Sequence, residues 1–142
     1  MTSNETLNGT VRVARALHVA AAAAVIAMIF VQVYLIAAFI FGDPQALDIH
    51  RVVGRVVVGF ELVVLVTALV GWWSNSRLIG MSSALFGVGA LQALLAHDIG
   101  SAPRVHALHG FLALVVFVLA WFITISGWRE LYRRPVSLRS SS

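Results

Sequence analysis

The chain has 142 residues, 60% of them hydrophobic and only 11% charged, with ten basic residues (all arginine), six acids and no cysteine. A soluble domain keeps about a quarter of its residues charged, so this chain has too little polar surface to be one. The missing cysteine excludes disulfides, thiolate metal sites and iron–sulfur clusters, and a mean hydropathy of +0.92 removes the nucleic-acid reading that a pI near 11.1 invites.

Apolar runs of about 20 residues span a bilayer, and the chain holds four. A polar tail, Met1–Thr10, leads through Arg12 and Arg15 into the first run, Val13–Phe41. That run is too long for a signal-peptide core and is expected to be a retained helix. The stretch "LDIHRVVGRVVVGFE", Leu47 to Glu61, opens the second run, Val52–Trp73, with Asp48 as the expected helix cap. Leu78–Ala96 is the third run and Val105–Trp128 the fourth, followed by a basic tail over 129–142. The connections leave no room for a soluble module, and no internal repeat is evident. The expected architecture is therefore all-α: one integral-membrane, up-and-down four-helix bundle over 13–128, with polar tails over 1–12 and 129–142.

The arginines are distributed by side. With four spans, both termini and the second connection share a face carrying Arg12, Arg15, Arg77, Arg129, Arg133, Arg134 and Arg139, against Arg51, Arg55 and Arg104 on the other. The positive-inside rule then places both termini in the cytoplasm and the protein in the cell's inner (plasma) membrane. Trp72, Trp73 and Trp128 fall at the inner ends of spans two and four, as interfacial anchors do.

On that topology His50, His97, His106 and His109 gather at the outer level, and His18 alone lies near the cytoplasmic end. A histidine at a helix end can simply sit among headgroups. Spans two and four, however, are diagonal and parallel in such a bundle, so His50 faces His109 or His106 across the axis. Two imidazoles on facing helices are what a heme iron takes above and below its plane. Gly54, one turn below His50, leaves room for a ring, and Ala113 and Ala120 are small below His109. Arg51, Arg55 and Arg104 lie where propionates would emerge. Counted from the inner tryptophans, His106 matches the level of His50 and His109 lies nearly a turn deeper. Helix tilt blurs that difference, so either can be the ligand and the other can bond a propionate or the second ring. The small residues Gly80, Ala84 and Gly87 read as a packing stripe on span three.

"HRVVGRVVVGFELV", "LQALLAHDIG" and "VHALHGFLALVVF" together resemble one four-helix half of the heme A synthase family. A nearer likeness is to a family of small four-span prokaryotic membrane proteins known only as a domain of unknown function, with His-x-x-x-Gly, a Gln, and Ala-Leu-His opening the last helix. The matching positions are His50, Gly54, Gln92 and His109, within about 31–121. The resemblance implies that His50 and His109 are axial heme ligands. It does not carry over a reaction: there is no second half, and the glutamate which that family places three residues before its histidine is Leu47 here.

Glu61 lies three turns beyond His50 on the same face, about 16 Å deeper by the helix rise. A charged carboxylate there costs about 2.5–3.5 kcal/mol on insertion scales. It is expected to be protonated or hydrogen-bonded, with Gln32, Gln92 or Thr67 as partner. A neutral interhelical bond and a proton acceptor coupled to a redox centre or quinone are the two readings. His18 with Met81 would allow a second His/Met heme, a pattern that short matches produce by chance.

The expected function is binding of heme b and one-electron transfer at the outer side of the membrane, exchanging electrons with a quinone or an outer-side redox partner. One alternative is a non-catalytic four-helix scaffold or accessory subunit without cofactor, with homo-oligomers open. The other is a proton-handling protein centred on Glu61. Enzymatic activity is left undecided; no nucleophile, phosphate loop or carboxylate pair points to a hydrolase.

Overall fold

The computed structural model describes residues 3–96 and 103–132, with side chains described from residue 8 onward. Four helices account for them: α1 (Ser3–Ile40), α2 (Pro44–Gly71), α3 (Ser76–Ala96) and α4 (Pro103–Leu131). No strand occurs among the described residues, and each helix is long and apolar enough to cross a membrane. His97, Asp98, Arg133, Arg134 and Arg139 lie outside the described residues.

Local chemistry sets the helix ends, and moves two of them from their expected places. α1 begins at Ser3, so most of the expected N-terminal tail is helical, propagated outward from a long apolar helix at little cost per residue. α1 stops at Gly42, whose φ of +107° suits a residue without a Cβ, and the Asp43 amide closes back on the Ala38 carbonyl at 3.0 Å. Asp43, not Asp48, caps α2: its carboxylate accepts from the Gln45 amide at 3.0 Å, and Pro44 occupies the first helical turn. Asp48 lies one turn inside α2 and pairs with Arg51 at 2.9 Å. His50 therefore sits in the second turn of α2 rather than at its start. Asn75 begins α3 by accepting from the Leu78 amide at 3.2 Å.

Each helix packs on its two neighbours in the ring α1–α2–α3–α4, and the diagonal pairs do not approach at backbone level. Short connections force this up-and-down order. One end carries the α1–α2 and α3–α4 connections; the other carries the α2–α3 turn and the starts and ends of α1 and α4. They are called the histidine end and the terminal end below. The core runs along the axis through Val25, Val57, Val64, Leu85, Val116, Ala120 and Ile123. Gly71 admits the Arg15 backbone of α1 at the terminal end, where a Cβ would lie 3.1 Å from the Arg15 nitrogen.

The buried positions reveal an internal repeat that the sequence reading missed. Along α1 and α3, His18, Ala22, Val25 and Ile29 correspond in order to Leu78, Ser82, Leu85 and Gly89, and all eight are buried. Along α2 and α4, Val57, Glu61, Val64 and Ala68 correspond to Val116, Ala120, Ile123 and Gly127, again all buried. The two hairpins are thus pseudo-equivalent. Side-chain identity has diverged while the axis-facing register has not, because packing constrains which positions face inward more tightly than which apolar group fills them.

The stripe Gly80–Ala84–Gly87 is a second correction. All three residues are exposed on the bundle surface, and a Cβ on Gly80 or Gly87 would meet nothing within 4 Å. These glycines make no contact inside the bundle, so they do not mediate its packing. Trp72 is a third. It is 3% exposed and belongs to the core, whereas Trp73 and Trp128 are 82% and 54% exposed and suit the anchoring role.

Candidate functional site: a histidine pair on an axial cavity

The pseudo-equivalence of the hairpins places one histidine on each side of the axis. His50 of α2 and His109 of α4 face each other across the diagonal, ring centroids 6.3 Å apart and planes inclined at 71°. Each ring is held from the preceding helix in the same way. His50 Nδ1 bonds the Gln32 carbonyl at 3.3 Å, eighteen residues away, and His109 Nδ1 bonds the Gln92 carbonyl at 3.0 Å, seventeen away. A backbone carbonyl only accepts, so Nδ1 carries the proton in both rings and Nε2 keeps its lone pair. Metal-ligating histidines show this arrangement: the far nitrogen is tied to an acceptor and the near one left free.

Both rings line a cavity of about 520 Å³, together with Gln32, Gln92, Arg51, Gly54, Arg55, Glu61, Gly89 and Ala113 among others. The volume falls within the roughly 300–1,000 Å³ of cofactor sites. Two imidazoles with metal–nitrogen bonds of about 2 Å on opposite sides of one ion have centroids roughly 6 Å apart, which the observed separation matches. No group of three or more His, Cys, Asp or Glu able to hold a metal ion occurs among the described residues. Two facing imidazoles suit a metal whose remaining donors come from a planar macrocycle.

The structure brings together most of the residues singled out in the sequence and separates others. His50, His109, Gln92, Gln32, Gly54, Arg51 and Arg55 share the cavity. His106 does not: it is exposed on α4, nearly one turn nearer the start of the helix than His109, and lines no part of the cavity. Arg104 is exposed at the start of α4 and likewise stands off the lining. Gly54 has a more specific task than leaving space for a ring. A Cβ there would lie 3.0 Å from Gln32 Nε2, and that amide donates to the His50 carbonyl at 3.1 Å. Arg51 is shared between the cavity rim and its bond to Asp48.

Glu61 is expected from the sequence to be protonated or hydrogen-bonded, and the structure corrects the hydrogen-bonded half of that expectation. It is fully buried, and neither carboxyl oxygen has a hydrogen-bond partner. Gln32 is occupied with His50, and the Thr67 hydroxyl donates to the carbonyls of Val63 and Val64. The carboxyl instead lies against the backbone of Gly89 in α3, in space that a Cβ at Gly89 would fill. Gly89 is the residue that sequence reasoning missed; its signal was the repeat, in which its counterpart is Ile29.

His18, at the terminal end, stands apart. Its Nδ1 bonds the Val64 carbonyl at 3.0 Å, it meets Trp72 edge-on at 6.2 Å, and it is fully buried. A Cβ at Gly127 would come within 2.8 Å of Val19 and 3.5 Å of His18. α4 thus packs closely on α1 beside His18, and the cavity of the histidine pair includes neither His18 nor Met81.

Compared with known protein families, with curated proteins and with solved structures, the chain matches none. The likeness to one half of heme A synthase therefore rests on its short motifs alone.

Proposed function

We propose that this chain is a heme b-binding membrane protein that passes single electrons at the histidine end of its bundle. The observation that carries the reading is the His50–His109 pair across one cavity, each ring with Nδ1 committed to a neighbouring helix and Nε2 available. Bound there, the heme would supply a one-electron couple. His50 and His109 would hold it from two sides, and the Gln32 and Gln92 carbonyls would fix their tautomer and orientation. Arg51 and Arg55 offer guanidinium groups to propionates. Arg104 and His106, exposed near the same end, add positive or hydrogen-bonding groups at the surface rather than ligands.

The distribution of arginine favours an outward-facing histidine end and cytoplasmic termini in the inner membrane. The exchange partner would then be a quinone in the bilayer or a redox protein outside it. One heme at one level does not bridge about 30 Å of hydrocarbon, so electron flow across the membrane would require a further centre in a partner.

The test is direct. The protein is purified from cells supplied with heme, and spectra are recorded oxidised and after dithionite. A Soret band with low-spin α and β bands on reduction is expected; a colourless preparation defeats the reading. Retention of the spectrum in His109→Ala with its loss in His106→Ala would reassign the ligand.

A further inference from the structure

Among the described residues Glu61 is the one ionisable group on the cavity that heme binding does not use, and three features make its surroundings a built site. The carboxyl is fully buried, lines the same cavity as the histidine pair, and has no partner on either oxygen. Natural interiors rarely leave such a group unpaired without a task. Its space is provided by Gly89, whose Cβ would fall on the carboxyl. The pseudo-equivalent positions are filled by Ala120 and Ile29, both buried. The frame thus accepts ordinary aliphatic filling at this level, and one hairpin departs from it by placing a carboxyl opposite a glycine.

The two sides of Glu61 differ. Toward the histidine end lies the cavity; toward the terminal end, one turn along their helices from Glu61 and Gly89, Val64 and Leu85 are fully buried, as is Ile123 of α4. We propose that Glu61 is a proton-binding site open only toward the histidine end, taking up a proton when a heme held by His50 and His109 would be reduced and releasing it when that heme would be re-oxidised. The balance is one for one. An electron delivered by a quinol or other one-electron reductant adds one negative charge to a low-dielectric interior, and one proton from the solvent at the histidine end, moving onto the Glu61 carboxylate, cancels it. The two sites are about 16 Å apart along α2, a distance over which charges still interact in an apolar interior.

The charged and titratable groups facing Glu61 are few. From α2 there are His50, Arg51 and Arg55, with Arg51 bonded to Asp48; from α4 there is His109. The α1 and α3 sides of the cavity contribute the neutral Gln32 and Gln92, and His18 lies beyond the Val64 layer on its carbonyl. No other carboxylate among the described residues lines the cavity, so Glu61→Gln tests the effect at this position.

The coupling rests on the heme reading; the proton site does not, and two measurements on the full chain separate them. In infrared spectra of the heme-free or dithionite-reduced protein a protonated-carboxyl band is expected that disappears in Glu61→Gln and shifts promptly in D₂O. Ala93→Trp and Ala113→Phe, which fill the cavity, should slow that shift severalfold while circular dichroism stays native. A band that survives Glu61→Gln overturns the site. So does an exchange rate that ignores both plugs and responds instead to Val64→Ala. In protein that shows a Soret band, the midpoint potential should fall with rising pH, and this slope should vanish in Glu61→Gln. An identical slope in both proteins overturns the coupling while leaving heme binding intact. Protein without a Soret band defeats heme binding and the coupling together, and the infrared result then judges the proton site alone.

Discussion

His18 and the His50–His109 pair make the same first bond and end in opposite situations. All three rings place Nδ1 on a backbone carbonyl of a neighbouring helix, at 3.0 Å for His18 and His109 and 3.3 Å for His50. At the histidine end the rings are part-buried and flank a cavity of about 520 Å³. At the terminal end His18 is fully buried beside Thr67 and Trp72, with Arg15 lying over the Trp72 ring at 4.5 Å and donating to the Gly71 carbonyl at 2.7 Å. Burial and a satisfied Nδ1 therefore do not distinguish a ligand from a packed core histidine. Paired placement on a shared cavity is what sets His50 and His109 apart from His18.

Substitutions can break this contrast, and the largest effect is expected at the pair. His50→Ala and His109→Ala should each abolish the low-spin heme spectrum. His18→Ala should retain it in full; loss of heme in His18→Ala with retention in either of the others would reverse the assignment. The cost of His18→Ala should appear in stability, at about 2 kcal/mol by thermal unfolding in detergent, as for other truncations in a packed interior. Gly127→Leu probes the same tightness from α4. Its side chain enters space held by Val19 and His18, and overpacking of this kind costs about 1–3 kcal/mol. Heme per folded molecule should not change. Arg15→Ala removes both the bond to Gly71 and the contact with Trp72, for a loss of about 1–2 kcal/mol, again with an unaltered spectrum. The smallest effect belongs to His106→Ala, where unchanged heme content and a stability within about 0.5 kcal/mol of the parent are expected.

Much of the histidine end was legible in the sequence, because its elements sit at helical spacings that do not depend on the fold. His50 and Gly54 are one turn apart, Glu61 shares their face, and a four-span topology brings α2 and α4 into parallel. What the spacing could not do was choose between His106 and His109. Both lie near one level, and which of them turns inward depends on the rotation of α4 about its own axis, set by Val116, Ala120, Ile123 and Gly127 packing inward. The repeat was hidden for a related reason. Its signal is a set of inward-facing positions, and these look alike only once burial is known, since His18 corresponds to Leu78 and Glu61 to Ala120. The same ignorance of rotation made the stripe Gly80–Ala84–Gly87 read as a packing face, although it lies on the bundle surface.

Composition and hydropathy alone determined that this chain forms four apolar helices, each long enough to cross a membrane, because continuous apolar runs of about 20 residues have the length and pattern of such helices. The order of those helices around the bundle followed from short connections. Tertiary structure decided everything that depends on which way a helix faces. It paired His50 with His109, exposed His106, sealed His18 behind Trp72 and Gly127, and set Glu61 against Gly89. The physical reason is that an almost uniformly apolar helix carries little information about its own rotation, and only packing against its neighbours supplies it.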